Sequence, residues 1–211
     1  ELGKREDLRA IPLVTIDGED AKDFDDAVFA EPAPENCWRI IVAIADVSTY
    51  VQSGDILDRE ARQRGNSVYL PGTVVPMLPE ALSNGLCSLR PHEDRACLAV
   101  EMIIDSAGNK QSHKFFQALI RSSARLTYTL VQQVIEGSLD EADCKITPGV
   151  LHHLIGALRA LHEARGRRGT LNLNLSEARI QFDETDQPIS VAEHHQEEAH
   201  QLIEEFMIAA N

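Results

Sequence analysis

Apolar and polar residues in the first third of the chain alternate in short blocks, a rhythm of strands rather than helices. Ile11–Ile16 and Ala27–Ala30 read as two strands. Trp38, Ile40, Val42 and Ile44 alternate with Arg39, Ile41, Ala43 and Ala45, so this strand is apolar on both faces and belongs in the middle of a sheet. It delivers Asp46 and then Ser48-Thr49-Tyr50. A polar helix follows over Ile56–Arg64, stopped by Gly65. Ser67–Leu70 is a brief strand, Val74–Pro79 is too rich in proline for regular structure, and Glu80–Leu86 suits a helical turn or two. Residues 1–10 are charged and read as peripheral.

The second half mixes hairpins and helices. Cys97–Ile104 and Ser112–Ile120 predict a hairpin around Asp105-Ser106-Ala107-Gly108-Asn109. Thr127 is placed to cap a helix running to about Glu136. Leu151, Leu154, Ile155, Leu158 and Leu161 line one face of a longer helix closed by Gly166. Leu171–Phe182 and Ile189–Ala192 predict a second hairpin. A last helix starts near Glu197 and reaches Asn211 in mid-pattern. One domain is the simplest organisation for these 211 residues.

Between the first two strands lies the densest charge in the chain. Asp17, Glu19, Asp20, Asp23, Asp25 and Asp26 fall within ten residues, with Lys22 alone to offset them. So many like charges between two strands are unfavourable unless a cation neutralises them. Mg²⁺, Mn²⁺ and Ca²⁺ are the hard cations that choose oxygen ligands. A solvated acidic turn is the plainer alternative. An EF-hand fits poorly, because its D-x-[DN]-x-[DN]-G spacing is absent and the flanks are β-like. Gly18 would ease a tight turn, letting Asp17, Asp23, Asp25 and Asp26 aim at one point. That is what two-metal phosphoryl chemistry requires of carboxylates.

Composition narrows the class. The 43% hydrophobic content suits a globular core. No apolar run is long enough to span a bilayer, and the start is no signal peptide. Cys37, Cys87, Cys97 and Cys144 form no CxxC pair, which favours reduced thiols in a cytoplasmic protein. Twenty basic against 34 acidic residues give a net charge of −14, a poor basis for nonspecific nucleic-acid binding. An enzyme that reaches phosphates through metal is not excluded by it.

Thr15–Ala27 resembles the signature of the RNB domain, the catalytic module of the RNase II/RNase R exoribonucleases. The resemblance continues through Val42–Ser48, Ser67–Pro71, Pro76–Pro79, Leu82–Leu89, Ala124–Tyr128 and Leu202–Asn211. With the elements above it implies an α+β fold, a mixed β-sheet flanked by helices. It implies a hydrolase that removes nucleotides one at a time from the 3′ end of single-stranded RNA, releasing nucleoside 5′-monophosphates with Mg²⁺ or Mn²⁺. Asp17, Asp23, Asp25 and Asp26 match the family's catalytic aspartates. Asp17 and Asp26 are expected as direct ligands, Asp25 as the residue chemistry can least spare, and Asp23 as a ligand to metal or to its water.

The resemblance also assigns RNA-contacting residues. Tyr69 is similar to a tyrosine that stacks on the 3′-terminal base; on its own, a Tyr in a short strand is more often core. Tyr128 and Glu205 resemble residues that contact terminal nucleotides and sugar hydroxyls, where the plain alternatives are helix packing and a solvated helix face. Leu173 departs from the family, which carries phenylalanine there, so the base clamp would be aromatic on one side only. Asp46 ends a buried strand and needs partners; orienting the site is its expected role. His194, His195 and His200 with Glu197 and Glu198 lack HExxH spacing and read as a polar helix face. Arg165, Arg167 and Arg168 either touch phosphates or decorate a helix end.

RNB domains extend past the position matching Asn211, and cold-shock and S1 domains flank them. Residues 1–211 are therefore expected to be the N-terminal portion of a catalytic domain within a larger protein, weakly active or inactive alone. A non-catalytic RNA-binding or regulatory protein of the same fold is the alternative; a phosphohydrolase acting on small esters is a third reading.

Overall fold

The computed structural model describes residues 3–70, 73–170, 177–182, 188–194 and 196–211. A seven-stranded mixed sheet in the order β1-β8-β7-β4-β3-β2-β9 forms the frame. Its strands are β1 (Glu6–Asp7), β2 (Val14–Asp17), β3 (Asp26–Ala33), β4 (Cys37–Ala45), β7 (Asp94–Ile104), β8 (Lys110–Arg121) and β9 (Ala124–Thr127). The β1/β8 and β2/β9 pairs are parallel and the others antiparallel.

Strand β4 occupies the centre, as its two-sided pattern requires. Ile40 and Val42 point into a core with Val14, Ile16, Val28 and Val100, while Ile41 and Ala43 point into a second core with Leu13, Ala27 and Phe29. Helices α2 (Tyr128–Ile135), α3 (Val150–Arg168) and α4 (Glu198–Ala210) cover the first face, through Leu151, Leu154, Leu158, Leu202 and Phe206. The opposite face is closed by Leu8, Leu82, Cys87 and Leu89. Two close approaches need glycine. A Cβ at Gly156 in α3 would sit 2.6 Å from Trp38 Cη2, and one at Gly108 in the β7–β8 turn 2.1 Å from the Ala160 carbonyl oxygen.

Several expectations need correction. The N-terminal residues are not peripheral: β1 pairs with β8, and Leu8 is buried. The stretch judged too proline-rich holds β6 (Thr73–Val75), paired with β5 (Val68–Leu70); Pro76 and Pro79 follow the strand instead of interrupting its ladder. Helix α3 runs through Gly166 to Arg168 and is capped by Gly169 at φ +70°. Three arginines in its last turn favour the helix C-terminus, offsetting the modest cost of a helical glycine. Helix α1 (Ile56–Arg64) ends at Gly65, and Thr127 caps α2 by accepting a hydrogen bond from the Leu130 amide. The second hairpin pairs β10 (Glu177–Phe182) with β11 (Pro188–His194); the expected strand residues 171–176, including Leu173, lie outside the described residues.

Candidate active site

The acidic loop joins the ends of two neighbouring strands. Asp17 is the last residue of β2 and Asp26 the first of β3, and Val14 with Val28 is the single register pair between these strands. The divergence that follows opens the space in which residues 18–25 turn.

Each half of the loop is secured separately. The first half is held from β9 and α2. One Arg125 Nη2 donates to the carbonyls of Gly18 and Glu19, each at 2.6 Å, and Thr129 Oγ1 donates to Glu19 Oε1 at 2.5 Å. The second half is held from the opposite side of the sheet. Buried Ser88 accepts from the Phe24 amide at 3.1 Å and donates to the Lys22 carbonyl at 2.9 Å. The Leu89 amide donates to Phe24 O, and the Ala45 amide to Asp25 O, both at 2.8 Å. Phe24 is buried as an anchor. Sequence reasoning gave neither Arg125 nor Ser88 a role.

Four aspartates are thereby brought into one electrostatic neighbourhood. Burial, then the charges of Asp26, Asp23 and Asp25, push the Asp17 carboxyl up to about 7, although Arg125 opposes the rise. Burial and Asp25 push Asp26 up to about 6. Asp25 is raised by desolvation and by Asp23, though its side chain keeps an exposed edge. One oxygen of Asp26, Oδ2, is buried without a hydrogen-bond partner, an arrangement that costs free energy unless something binds it.

The donor set suits a hard divalent cation. It consists of carboxylate oxygens, mutually repelling, with one buried oxygen orphaned. Among the described residues no group of three or more His, Cys, Asp or Glu side chains is already gathered as a ligand cage. Binding a cation therefore requires the carboxylates to draw inward, with the ion's charge offsetting the repulsion that closer approach adds.

The aromatic residues lie around this loop. Tyr69 on β5 donates through its hydroxyl to Asp23 Oδ2 at 3.3 Å, and the residue is 67% exposed. It borders a cleft of about 490 Å³ with Asp20, Lys22, Asp23, Ser67 and Asn84. Tyr128 opens α2 directly after Thr127, the residue paired with Asp17. Burial and the charges of Asp17 and Asp26 push its phenol up to about 12. Its ring stacks on His200 of α4. His200 is thus packed against a ring and belongs to the α4 capping box with Glu197, so the expected polar helix face is corrected there; His195 lies outside the described residues.

Glu205 is not on a solvated face. It is 2% exposed and ion-paired with Arg165 of α3, which also contacts Glu204 at 3.0 Å. The geometry joins it to α3 and not to the acidic loop. Arg167 pairs with Glu163 and donates to the Ala107 carbonyl, bracing the β7–β8 turn. Asp46 receives Arg5 at 2.5 Å, Ser48 at 2.5 Å and Thr49 at 3.1 Å. Burial alone would raise its carboxyl, but these donors outweigh burial and hold it below the ordinary value.

The RNB domain family matches residues 5–211. Ribonuclease R of Vibrio parahaemolyticus is 49% identical over 209 residues, which cover 98% of this chain and 25% of that protein. Ribonuclease R of Escherichia coli is 48% identical over 98% of this chain and 26% of its own length. The chain thus spans about a quarter of the length of these relatives. Among solved structures, Mycoplasma genitalium RNase R in complex with ribose-methylated single-stranded RNA has a TM-score of 0.92 at 34% identity, covering 98% of this chain and 32% of that one. Yeast Ssd1, a pseudonuclease, has a TM-score of 0.65 at 20% identity over 78% of this chain, a likeness of fold alone. With a match that runs from residue 5 to residue 211, the chain belongs to the RNB domain family.

Proposed function

We propose that this chain carries the catalytic site of a 3′-to-5′ exoribonuclease, which hydrolyses single-stranded RNA from its 3′ end to nucleoside 5′-monophosphates with Mg²⁺ or Mn²⁺. The observation that carries the reading is the acidic loop: two aspartates at diverging strand ends and two in the turn between them, with a buried Asp26 oxygen lacking a partner. Ribonuclease R relatives at 48–49% identity support the reaction, and RNA in the complex of the Mycoplasma genitalium protein supports the substrate.

When bound, the divalent ion neutralises charge on the scissile phosphate and activates water. Asp17, Asp25 and Asp26 would hold it, with Asp23 reaching it directly or through a water molecule. Tyr69 is exposed enough to stack on a base, a sequence-tolerant contact that suits an enzyme accepting every nucleotide. Its hydroxyl contact with Asp23 links base position to the carboxylates. Tyr128 keeps its proton at neutral pH and so remains a donor beside Asp17 and Asp26. Net charge −14 argues against a broad cationic RNA surface in this chain, which leaves the metal as the main phosphate-directed charge.

The fold alone does not decide catalysis, since a pseudonuclease shares it. The retained aspartates favour an enzyme over a non-catalytic RNA binder. The test is digestion of a labelled single-stranded oligoribonucleotide by the intact protein with Mg²⁺ or Mn²⁺, beside Asp25→Asn. Single-nucleotide release by the unsubstituted protein, with RNA bound but uncut by the variant, is expected. Equal turnover by both would defeat the assignment.

A further inference from the structure

We propose that Arg125 is a positioning residue that sets the gap between Asp17 and the Asp25–Asp26 pair by clamping the backbone of residues 18 and 19. This inference rests on the metal-site reading above and extends it to a side chain that touches no substrate.

The two halves of the acidic loop are fastened to different parts of the fold. Ser88, Leu89 and Ala45 hold residues 22–25 through four hydrogen bonds and leave 18–21 untouched. The first half has one internal backbone bond, Ala21 to Gly18 at 3.2 Å, and is held from outside by Arg125 and Thr129, with Ala21 packed against the second core. Arg125 reaches both carbonyls from β9, where it lies in register with Thr15 and two residues before the partner of Asp17. Its guanidinium also sits 5.6 Å from the centroid of the Phe24 ring, so one cation touches both halves. Its Nε is buried and unpartnered, which leaves the clamp to Nη2.

A planar guanidinium suits this task. It stays charged, donates in a fixed direction and lies flat on an aromatic face, whereas a lysine ammonium is a mobile point charge. Arg125 brings a cation into contact with a segment of six carboxylates that holds one lysine, Lys22. Strand β9 is the sheet edge, and its core contribution is Leu126. Substituting Arg125 therefore releases the loop without removing a core side chain.

The experiment compares the intact protein with Arg125→Lys and Arg125→Gln by three readouts. Without metal, amide exchange of residues 18–22 is expected to quicken about tenfold in Arg125→Gln, while exchange in β3 and β4 is unchanged. Free-manganese titration followed by electron paramagnetic resonance should show the binding midpoint weakened about 10–100-fold in Arg125→Gln, with Arg125→Lys between it and the parent. Turnover of a single-stranded oligoribonucleotide should fall through kcat, with KM unchanged within about twofold. Unchanged exchange of residues 18–22, or faster exchange with an unchanged manganese midpoint, overturns the inference. Failure of the unsubstituted protein to bind manganese counts instead against the metal reading, and the exchange comparison then decides the clamp alone.

Discussion

Tyr128 stacks on His200 with ring centroids 4.1 Å apart and 20° between the ring planes. The contact joins the first residue of α2 to the first turn of α4, beside a second tie in which the Ala199 amide donates to Gln132 Oε1 at 3.1 Å. A ring that neighbours Asp17 and Asp26 of the acidic loop is thereby held by a helix distant in sequence.

His200→Ala is expected to destabilise the protein by about 1 kcal/mol, the usual worth of an aromatic pair. Turnover of RNA should fall with it. His200→Phe keeps a ring against Tyr128 and should recover most of the turnover, though not the His200 part of the capping box. Thermal unfolding and single-turnover kinetics on both variants check this.

The acidic loop makes stability depend on pH in a defined direction. Asp17 and Asp26 titrate at about 7 and about 6, against an ordinary 3.8. Because the folded state binds these protons more tightly, their contribution is fully present below about pH 4 and is lost as pH rises through 6 and 7. In chelator, Asp17→Asn should be more stable than the parent at pH 8, by on the order of 1–2 kcal/mol after solvent screening. The difference should shrink towards zero at pH 4. Saturating Mn²⁺ should reverse the order at pH 8. Thermal melts at both pH values, with and without metal, measure it.

The Asp46 site responds in the opposite sense. Its depressed carboxyl contributes stability above its unfolded value, which is lost as pH falls through the folded one. Arg5→Ala strands a carboxylate that is 7% exposed and should cost about 2–3 kcal/mol at pH 7. Asp46→Asn should cost less, because the Arg5 guanidinium it leaves is more exposed than Asp46 and keeps its bonds to Cys97 O and Thr49 Oγ1. Chemical denaturation of both variants checks the order.

Gly156→Ala tests the packing of α3 on the sheet. The added methyl would lie within 2.6 Å of the Trp38 ring, so helix or indole must move, at a cost of about 1–3 kcal/mol. Trp38→Leu in the same background should recover part of that loss, read from paired denaturation midpoints.

How much of this was legible in the sequence depended on whether a signal was local. Strand β4 announced itself because both faces are apolar, and the acidic loop because its charge density is bracketed by strand-forming residues. Strand β9 (four residues) and β1 (two) are stabilised by parallel pairing with distant strands, which periodicity cannot reveal. Pro76 hid β6 by lying just past its end. Ser88 and Arg125 act on backbone groups more than 60 residues away, so no spacing rule marks them. Glu205 reads as solvated by residue type, yet Arg165 neutralises it in the interior.

The carboxylates hang from both layers of the molecule: residues 18 and 19 from the edge that carries α2, residues 22–25 from the segment that closes the opposite core. Any repacking that shifts one layer against the other changes the spacing of Asp17 and Asp26. A loss-of-activity screen would consequently score Leu89 and Leu126 beside the aspartates, although neither meets substrate. Only melting curves taken alongside the assay would sort scaffold from chemistry.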